Sequence, residues 1–311
     1  MIVELPDTTT SKVSKKIVAM RDKGGVVALG RVLTLVIVAK PDFVEEAIDA
    51  ANAASREHPC RIIVLVAGSP DEPSRLDAQI RVGGDAGASE VILLYGYGEL
   101  AAESESLVSA LLLPDAPIVA WWPHGVPKSA AATPLGRIAH RRITDAANEA
   151  NPKQALLDLS HSYQAGDTDL SWTRLTHWRI QLAAVLEQNG SSGIRSITVE
   201  GASDSASTFL LAAWLKNALR VPVEIIEEAA GSGMRRVRLE RDAGVIDLNR
   251  PDGRTAYLTQ PGQPEQRIAL PRRNLHECLA EELRRLDPDE VFGEVLTQGL
   301  AACLIPERID A

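Results

Sequence analysis

The sequence predicts an α/β protein of two halves, each of which contains a strand–helix–strand unit. Four apolar runs in the first half are rich in Val, Ile and Leu and do not alternate with polar residues. Such runs are typical of strands buried on both faces of a parallel sheet. A second strand–helix–strand pattern, at residues 194–227, is followed by alternating segments and two helices. We therefore expect a mainly parallel sheet in the first half, and an antiparallel meander and two C-terminal helices added to the second.

The apolar runs of the first half are separated by segments with helical spacing. The runs occupy residues 31–40, 61–67, 91–95 and 116–121. We expect helices at residues 43–55 and 100–112, and an antiparallel strand at residues 75–83. A basic helix is expected near the N-terminus, where Val13 and Ile17 are spaced to pack on the body of the protein.

The second half begins after a Gly-Asp turn at residues 166–167, which separates an N-terminal domain (1–166) from a C-terminal domain (167–311). A helix with an apolar stripe is expected at residues 173–188. The strands of the meander are expected at residues 235–241, 244–249, 254–259 and 266–270. Asp287 is the expected N-cap of the last helix, with a proline in its first turn.

Composition and charge exclude several classes of function. The 311 residues carry a net charge of −9, which disfavours a general nucleic-acid binder. The three cysteines form no CxxC pair, so a zinc ribbon is excluded and a reducing cytosol is expected. No apolar run reaches the ~20 residues of a membrane span, and the N-terminus lacks a secretory signal pattern. No catalytic, metal-binding or cofactor-binding motif is present, so we expect a cytoplasmic protein without cofactor, metal or membrane.

The densest cluster of aromatic and basic side chains lies at residues 169–179. It contains Trp172, Arg174, Trp178 and Arg179, in a chain with only 4% aromatic residues. Trp and Arg are among the residue types most enriched at the energetic centres of protein interfaces. We expect Trp172, Arg174 and Arg179 to contact a protein partner. The alternative is that Trp178 packs in the core, as its place on the helical stripe allows, and that the arginines form surface ion pairs.

A second cluster surrounds the adjacent Trp121 and Trp122 at the end of a predicted strand. Their side chains point to opposite faces, so one is expected to be buried and the other exposed. The carboxyl end of such a strand is where ligands bind in open α/β sheets. Arg141 and Arg142 are expected to join Trp122 in a second partner-binding group. Simple packing of the core and the sheet edge is the alternative.

A serine-rich turn lies between a predicted strand and a predicted helix of the second half. Ser203, Ser205 and Ser207 precede or begin this helix, whose N-terminal amides are able to bind a phosphate or another anion. Asp204 opposes an anion, and the glycine patterns of nucleotide-binding loops are missing. An N-cap with solvated serines is therefore the favoured interpretation, and the anion site is the alternative.

Five segments together resemble the actinobacterial branch of the glucose-6-phosphate dehydrogenase assembly protein (OpcA) family. They are HPCRIIV (58–64), PIVAWWP (117–123), RRITD (141–145), DLSWTRL (169–175) and DPDE (287–290). The resemblance runs from about residue 30 to about residue 300, and DLSWTRL is its most specific part. One departure is His177, where relatives often carry proline.

The resemblance implies a cytoplasmic accessory protein that is not an enzyme. Its partner would be glucose-6-phosphate dehydrogenase, the first enzyme of the oxidative pentose phosphate pathway, whose assembly or activity it would promote. Two alternatives stay open on the residues alone. One is an enzyme or regulator with a sugar-phosphate or nucleotide site near Ser203. The other is a nucleic-acid adaptor that uses the basic N-terminal helix with Arg236 and Arg238.

Overall fold

The computed structural model describes residues 1–24, 32–82, 90–190 and 192–304. The chain forms two compact units. The first is drawn from the described residues of Met1–Asp145, Gly166–Thr168 and Leu275–Pro288, and the second from those of Ala146–Ala165, Asp169–Asn274 and Asp289–Ala311. Both units are therefore discontinuous in sequence. The division into domains 1–166 and 167–311 stays a prediction. None of the helices in the described residues has the length and apolar character needed to cross a bilayer.

The described residues form strands and helices in a mixed order along the chain. The strands are β1 (Ile2–Leu5), β2 (Leu33–Ala39), β3 (Cys60–Ala67), β4 (Arg75–Arg81), β5 (Glu90–Tyr97), β6 (Ile118–Trp122), β7 (Arg141–Thr144), β8 (Asp167–Asp169), β9 (Ile194–Ala202), β10 (Val223–Glu228), β11 (Met234–Arg241), β12 (Ile246–Asn249), β13 (Thr255–Thr259) and β14 (Gln266–Ala269). The helices are α1 (Thr10–Gly24), α2 (Val44–Ala54), α3 (Pro134–Ile138), α4 (Pro152–Ser162), α5 (Leu170–Thr173), α6 (Thr176–Asn189), α7 (Ala206–Leu219), α8 (Leu275–Arg284), α9 (Glu290–Glu294) and α10 (Leu300–Leu304).

The first of the two sheets is mainly parallel, as predicted. Its described strands lie in the order β1-β4-β5-β3-β2-β6-β7-β8. β5, β3, β2, β6 and β7 are parallel, whereas β1 and β4 pair antiparallel at one side. Nearly every residue of β2 and β3 is buried, which explains why their sequences do not alternate. β4 confirms the antiparallel strand predicted at residues 75–83, although residue 83 itself lies outside the described residues.

The core of the first unit joins this sheet to the N-terminal helix. Val13 and Ile17 of α1 are buried in one apolar cluster with Val36, Ile63 and Ile92 of the sheet. Full burial of each such side chain contributes about 1.5–3 kcal/mol. The predicted packing of the amphipathic N-terminal helix is confirmed.

The second sheet combines a parallel pair with the predicted meander. Its described strands lie in the order β10-β9-β11-β12-β13-β14. β9 and β10 are parallel and α7 connects them, whereas the other neighbouring pairs are antiparallel. Burial along β12 and β13 alternates, because one face of the meander is buried and the other meets solvent. α7 buries most of its side chains and packs on β9 and β10.

The single helix predicted at residues 100–112 is wrong. The segment forms three short 3₁₀ turns, Gly98–Ala101, Glu105–Leu107 and Ser109–Leu111. Ser104 has extended backbone and its side chain accepts a hydrogen bond from the N–H of Ser106. The carboxylate of Glu103 accepts hydrogen bonds from Trp122 Nε1 at 3.1 Å and from the N–H of Leu135 at 2.9 Å. These side-chain bonds hold the chain in a conformation that a continuous helix does not permit.

The N-cap predicted for the last helix is also wrong, by two residues. Asp289 is the N-cap of α9, and its side chain accepts a hydrogen bond from the N–H of Phe292. Asp287 is exposed, and its backbone carbonyl accepts a hydrogen bond from Arg141. After α9 the chain continues through a π-helical turn, Val295–Gly299, into α10.

Candidate functional site

The two Trp rings expected at the surface are buried. Trp122 ends β6 and is 2% exposed, and Trp121 beside it is 0% exposed, because both faces of β6 are covered. Trp172 in α5 is 1% exposed, and its Nε1 donates to Asp289 Oδ2 at 2.8 Å. The expectation that Trp122 and Trp172 face outward is therefore wrong.

Arg141 and Arg142 are buried as well, in ion pairs of the first unit. Arg141 donates from Nη2 and Nε to Glu282 Oε2, at 2.6 and 3.2 Å. Arg142 pairs with the carboxylate of Asp167 and donates to backbone carbonyls. Buried guanidinium groups need such partners, because an unpaired charge in the interior is strongly unfavourable. The outward placement predicted for this pair is wrong.

Arg174 and Arg179 are the two predicted contact residues that stay partly exposed. Arg179 lies on α6, and its guanidinium carbon is 3.7 Å from the centroid of the Trp172 ring, in a cation–π stack. Its Nη2 also donates to Thr176 Oγ1 at 3.3 Å. Arg174 lies between α5 and α6 and lines a pocket of the second unit.

This pocket joins Arg174 to the serine-rich turn that the sequence marks as a possible anion site. It has a volume of about 270 Å³ and includes Ser205 and Ser207 at the start of α7. Its charged lining consists of Asp204 and the four arginines Arg174, Arg250, Arg272 and Arg273. We call this the basic pocket. Arg250, Arg272 and Arg273 were not among the residues predicted from the sequence.

The start of α7 supplies one wall of the basic pocket. Ser205 occupies the N-cap position with extended backbone, but its side chain makes no capping hydrogen bond. Ser207 Oγ donates to the carbonyl of Ser171 at 2.8 Å, and Ser203 is exposed. Asp204 accepts from the N–H of Gly231 with both carboxylate oxygens at 3.0 Å. The first amides of α7 therefore lack the side-chain cap that the sequence favoured, and such amides attract anions.

Arg250 and Trp178 form the buried wall of the pocket. Arg250 is 5% exposed, and it donates to the carbonyls of Leu270 and Met234 at 3.0 and 2.7 Å. Its guanidinium carbon lies 5.0 Å from the centroid of the Trp178 ring. Arg250 Nε and Trp178 Nε1 are both buried without a hydrogen-bond acceptor. Burial, and secondly the positive charge of Arg272, lower the pKa of Arg250 to about 10.

Arg272 and Arg273 follow the last strand of the meander. Arg272 is exposed, and its Nη2 donates to the carbonyls of Gly231, at 3.1 Å, and Ser232. Arg273 Nη1 donates to the carbonyl of Thr173 at 2.7 Å. In the described part of the chain, neither Arg250 nor Arg272 forms an ion pair with a carboxylate. The positive charge of this pocket is therefore only partly balanced.

A second crevice, of about 250 Å³, lies in the first unit where β2, β3 and β5 end. Ligands of open α/β sheets bind at such an edge, often on a glycine-rich turn. Here the turn after β2 contains Lys40, Pro41, Asp42 and Phe43. Proline has no N–H, so Pro41 at the crevice offers no amide to a pyrophosphate, and the turn contains no glycine. These residues do not fit a nicotinamide dinucleotide, and the described residues contain no cluster of three or more metal-binding side chains.

None of the three cysteines, all of which lie in the described residues, forms a disulfide. Cys60 in β3 and Cys278 in α8 are buried, and Cys303 in α10 is partly buried. Burial raises the pKa of the Cys303 thiol to about 11, against the smaller opposite effect of Lys216. Because the thiolate is the reactive form, Cys303 is a weak nucleophile at neutral pH.

Family comparisons match both parts of the chain. The model described as the glucose-6-phosphate dehydrogenase subunit N-terminal domain, of the OpcA assembly family, matches residues 51–161. The corresponding C-terminal domain matches residues 165–296. A comparison with curated proteins gives no significant match.

Solved structures with a similar fold include several oxidoreductases of low sequence identity. An oxidoreductase from Sinorhizobium meliloti has a TM-score of 0.51 at 11% identity, over 87% of this chain and 96% of that chain. A 3-ketoreductase from Actinomadura kijaniata has a TM-score of 0.48 at 10% identity, over 86% and 94%. A Gfo/Idh/MocA family oxidoreductase from Vibrio cholerae has a TM-score of 0.44 at 12% identity, over 87% and 97%. At these identities the first likeness concerns the fold alone.

Proposed function

Because the chain belongs to the OpcA glucose-6-phosphate dehydrogenase assembly family, we propose that it is an accessory protein of this dehydrogenase. In this proposal it binds the enzyme, promotes its assembly or activity in the cytoplasm, and catalyses no reaction itself. It would then serve the oxidative pentose phosphate pathway and its supply of NADPH. The observation that carries the proposal is the match of both family domains, in order, along most of the chain.

The crevice of the first unit disfavours a nicotinamide-dependent reaction on this chain. Its turn after β2 contains no glycine, and Pro41 has no N–H where a nicotinamide cofactor would need a free amide. An oxidoreductase activity like that of the structural neighbours therefore lacks support from the residues.

An accessory protein shifts an enzyme towards an active state only if it binds that state more tightly than the inactive one. A tenfold shift of the population needs a difference of ~1.4 kcal/mol in binding free energy. A few side-chain contacts across an interface supply this amount. The proposal therefore requires a modest, localised contact surface.

We propose that this surface includes the exposed side of α6. Ile180 is 55% exposed there, which is unusual for a large apolar side chain, and His177 is exposed one turn earlier. Arg179, stacked on Trp172, is held rigidly beside them. A rigid arginine with an apolar neighbour loses little conformational entropy on binding.

The experiment combines the purified dehydrogenase with this chain and follows both complex size and reaction rate. Size-exclusion chromatography with light scattering measures assembly, and initial rates over a range of substrate concentrations measure activity. We expect a larger species and a raised rate with the wild-type chain. Ile180→Asp should weaken both effects at least tenfold, because it places a charge in the contact surface.

Ile226→Asp is the matched control, since Ile226 is 42% exposed and belongs to a different element, β10. It should behave like wild type. A dehydrogenase whose size and rate do not change with the wild-type chain would contradict the proposed function. Equal effects of the two variants would contradict only the assignment of the surface.

A further inference from the structure

The basic pocket at the start of α7 has the features of an anion site that the proposed function does not use. We propose that this pocket binds a phosphate group, either as inorganic phosphate or as the monoester of a small metabolite. The inference stands on three features of the pocket: its charge, its unpaired hydrogen-bond donors and its glycine-lined wall.

The charged side chains that line the pocket are mostly basic. Four arginines line it against one aspartate, in a chain whose overall charge is −9. Arg250 and Arg272 take only backbone carbonyls as acceptors and lie close enough to repel each other. A bound dianion would relieve this repulsion, and guanidinium groups match the geometry of phosphate oxygens.

The unpaired groups in the buried wall are all donors. Arg250 is 5% exposed and Trp178 is 2% exposed, yet Arg250 Nε and Trp178 Nε1 have no acceptor. A buried donor without an acceptor is energetically unfavourable. The first amides of α7 add further N–H groups and the positive end of the helix dipole. An acceptor-rich ligand satisfies this set, whereas a cation or an apolar ligand does not.

The glycines of the opposite wall allow a ligand to approach the backbone. Gly231 and Gly233 both line the pocket and have positive φ angles, of 80° and 66°. A Cβ at Gly231 would meet no atom within 4 Å, so the space beside it is open. Only glycine combines this backbone conformation with the absence of a side chain.

Asp204 is the one group that opposes an anion. Both of its oxygens accept from the N–H of Gly231, so its charge is engaged in holding the glycine loop in place. Four arginines line the pocket beside this one aspartate. The volume of about 270 Å³ lies below the ~300–1,000 Å³ of pockets that enclose drug-sized ligands, and it therefore fits a phosphate with a small group attached and not a dinucleotide.

The test measures binding of small probes to the full chain by calorimetry. The probes are inorganic phosphate, glucose 6-phosphate and, as the uncharged comparison, glucose. We expect inorganic phosphate, glucose 6-phosphate or both to bind, and glucose not to bind. The probe with the lower Kd shows whether the pocket prefers inorganic phosphate or a phosphate monoester.

Variants locate the site. Arg272→Gln and Arg174→Gln should each weaken binding about tenfold or more, because each removes a charge-assisted hydrogen bond to the phosphate. Arg267→Gln is the matched control, since Arg267 in β14 is exposed and does not line the pocket, and it should bind like wild type. Circular dichroism verifies that the variants are folded. Absence of binding to both phosphate probes, or unchanged binding in both folded pocket variants, would overturn the proposal.

Discussion

At the scale of single residues, the arginines of this chain divide into buried structural groups and groups near solvent. Arg141 exemplifies the first class, because its side chain is 5% exposed and its partner Glu282 is 7% exposed. A buried ion pair often adds little net stability, but removal of one partner leaves the other charged and unpaired. This asymmetry separates a structural role from a role in partner binding.

We predict that Arg141→Met lowers the free energy of unfolding by about 3–5 kcal/mol, since Glu282 then stays buried without the positive charge of Arg141. The double variant Arg141→Met/Glu282→Leu should recover most of this loss. Urea denaturation followed by circular dichroism measures both. The exposed pair of Arg284 and Glu57, 3.2 Å apart and about 60% exposed, is the control, and Arg284→Met should cost less than ~1 kcal/mol. Equal losses in the two single variants would contradict this account.

The same residue chemistry explains why several side chains that were predicted at the surface are buried. Trp and Arg are enriched at interfaces because they combine large apolar area with polar groups, and the interior uses the same combination. Trp172 donates to Asp289 and stacks under Arg179, so both its N–H and its aromatic face have partners inside the protein. Composition alone does not distinguish these two uses.

At the scale of elements, the predictions held where one local pattern decides the structure. The continuous apolar runs of β2 and β3 identified parallel strands, and alternation identified the meander. The predictions were wrong where contacts with residues distant in the sequence determine the local structure. Glu103 is held by Trp122 and Leu135, and this long-range contact interrupts the helical pattern at residues 100–112.

The cap of α9 gives an element-scale prediction. Asp289 accepts from the N–H of Phe292 at 2.9 Å and from Trp172 Nε1 at 2.8 Å. Asp289→Ala should therefore cost about 2–4 kcal/mol, from loss of the cap and from the buried indole N–H left without an acceptor. Asp287→Ala, at the exposed residue that the sequence favoured as cap, should cost less than ~0.5 kcal/mol. Thermal unfolding of the two variants compares them, and the reverse order of stability would show that the cap is misassigned.

Only part of the basic pocket could be predicted from the sequence, because several separate elements form it. The turn at Ser203 and Ser205 was recognised because strand, turn and helix are contiguous there. Arg250 and Arg272 stand at the ends of β12 and β14, and only the order of strands in the sheet brings them to α7. Their positions next to Pro251 and Pro271 mark strand ends, but no local pattern indicates that these ends meet.

At the scale of the whole molecule, the fold and the family lead to different expectations about function. The fold is shared with an oxidoreductase at 11% identity, whereas both family domains belong to a dehydrogenase assembly family. A fold hosts many functions, and function depends on the groups at the site. The turn after β2 contains no glycine, and Pro41 has no N–H for a pyrophosphate, so this turn does not fit a dinucleotide.

The proposed function carries a thermodynamic consequence for the whole complex. If this chain increases the affinity of the dehydrogenase for glucose 6-phosphate by some factor, glucose 6-phosphate must increase the affinity of the enzyme for this chain by the same factor. Coupling of this kind typically amounts to ~1–3 kcal/mol, about 5- to 150-fold. We predict that the Kd of the complex falls by such a factor at saturating glucose 6-phosphate, as measured by calorimetry or fluorescence anisotropy.

The variant Arg272→Gln separates this coupling from binding in the basic pocket. The same fall in Kd with this variant places the coupling on the enzyme's own substrate site, and loss of the fall places it on the pocket. A Kd that does not respond to glucose 6-phosphate with the wild-type chain, while the chain still raises the affinity of the enzyme for this sugar phosphate, would violate the linkage and exclude a simple two-component complex.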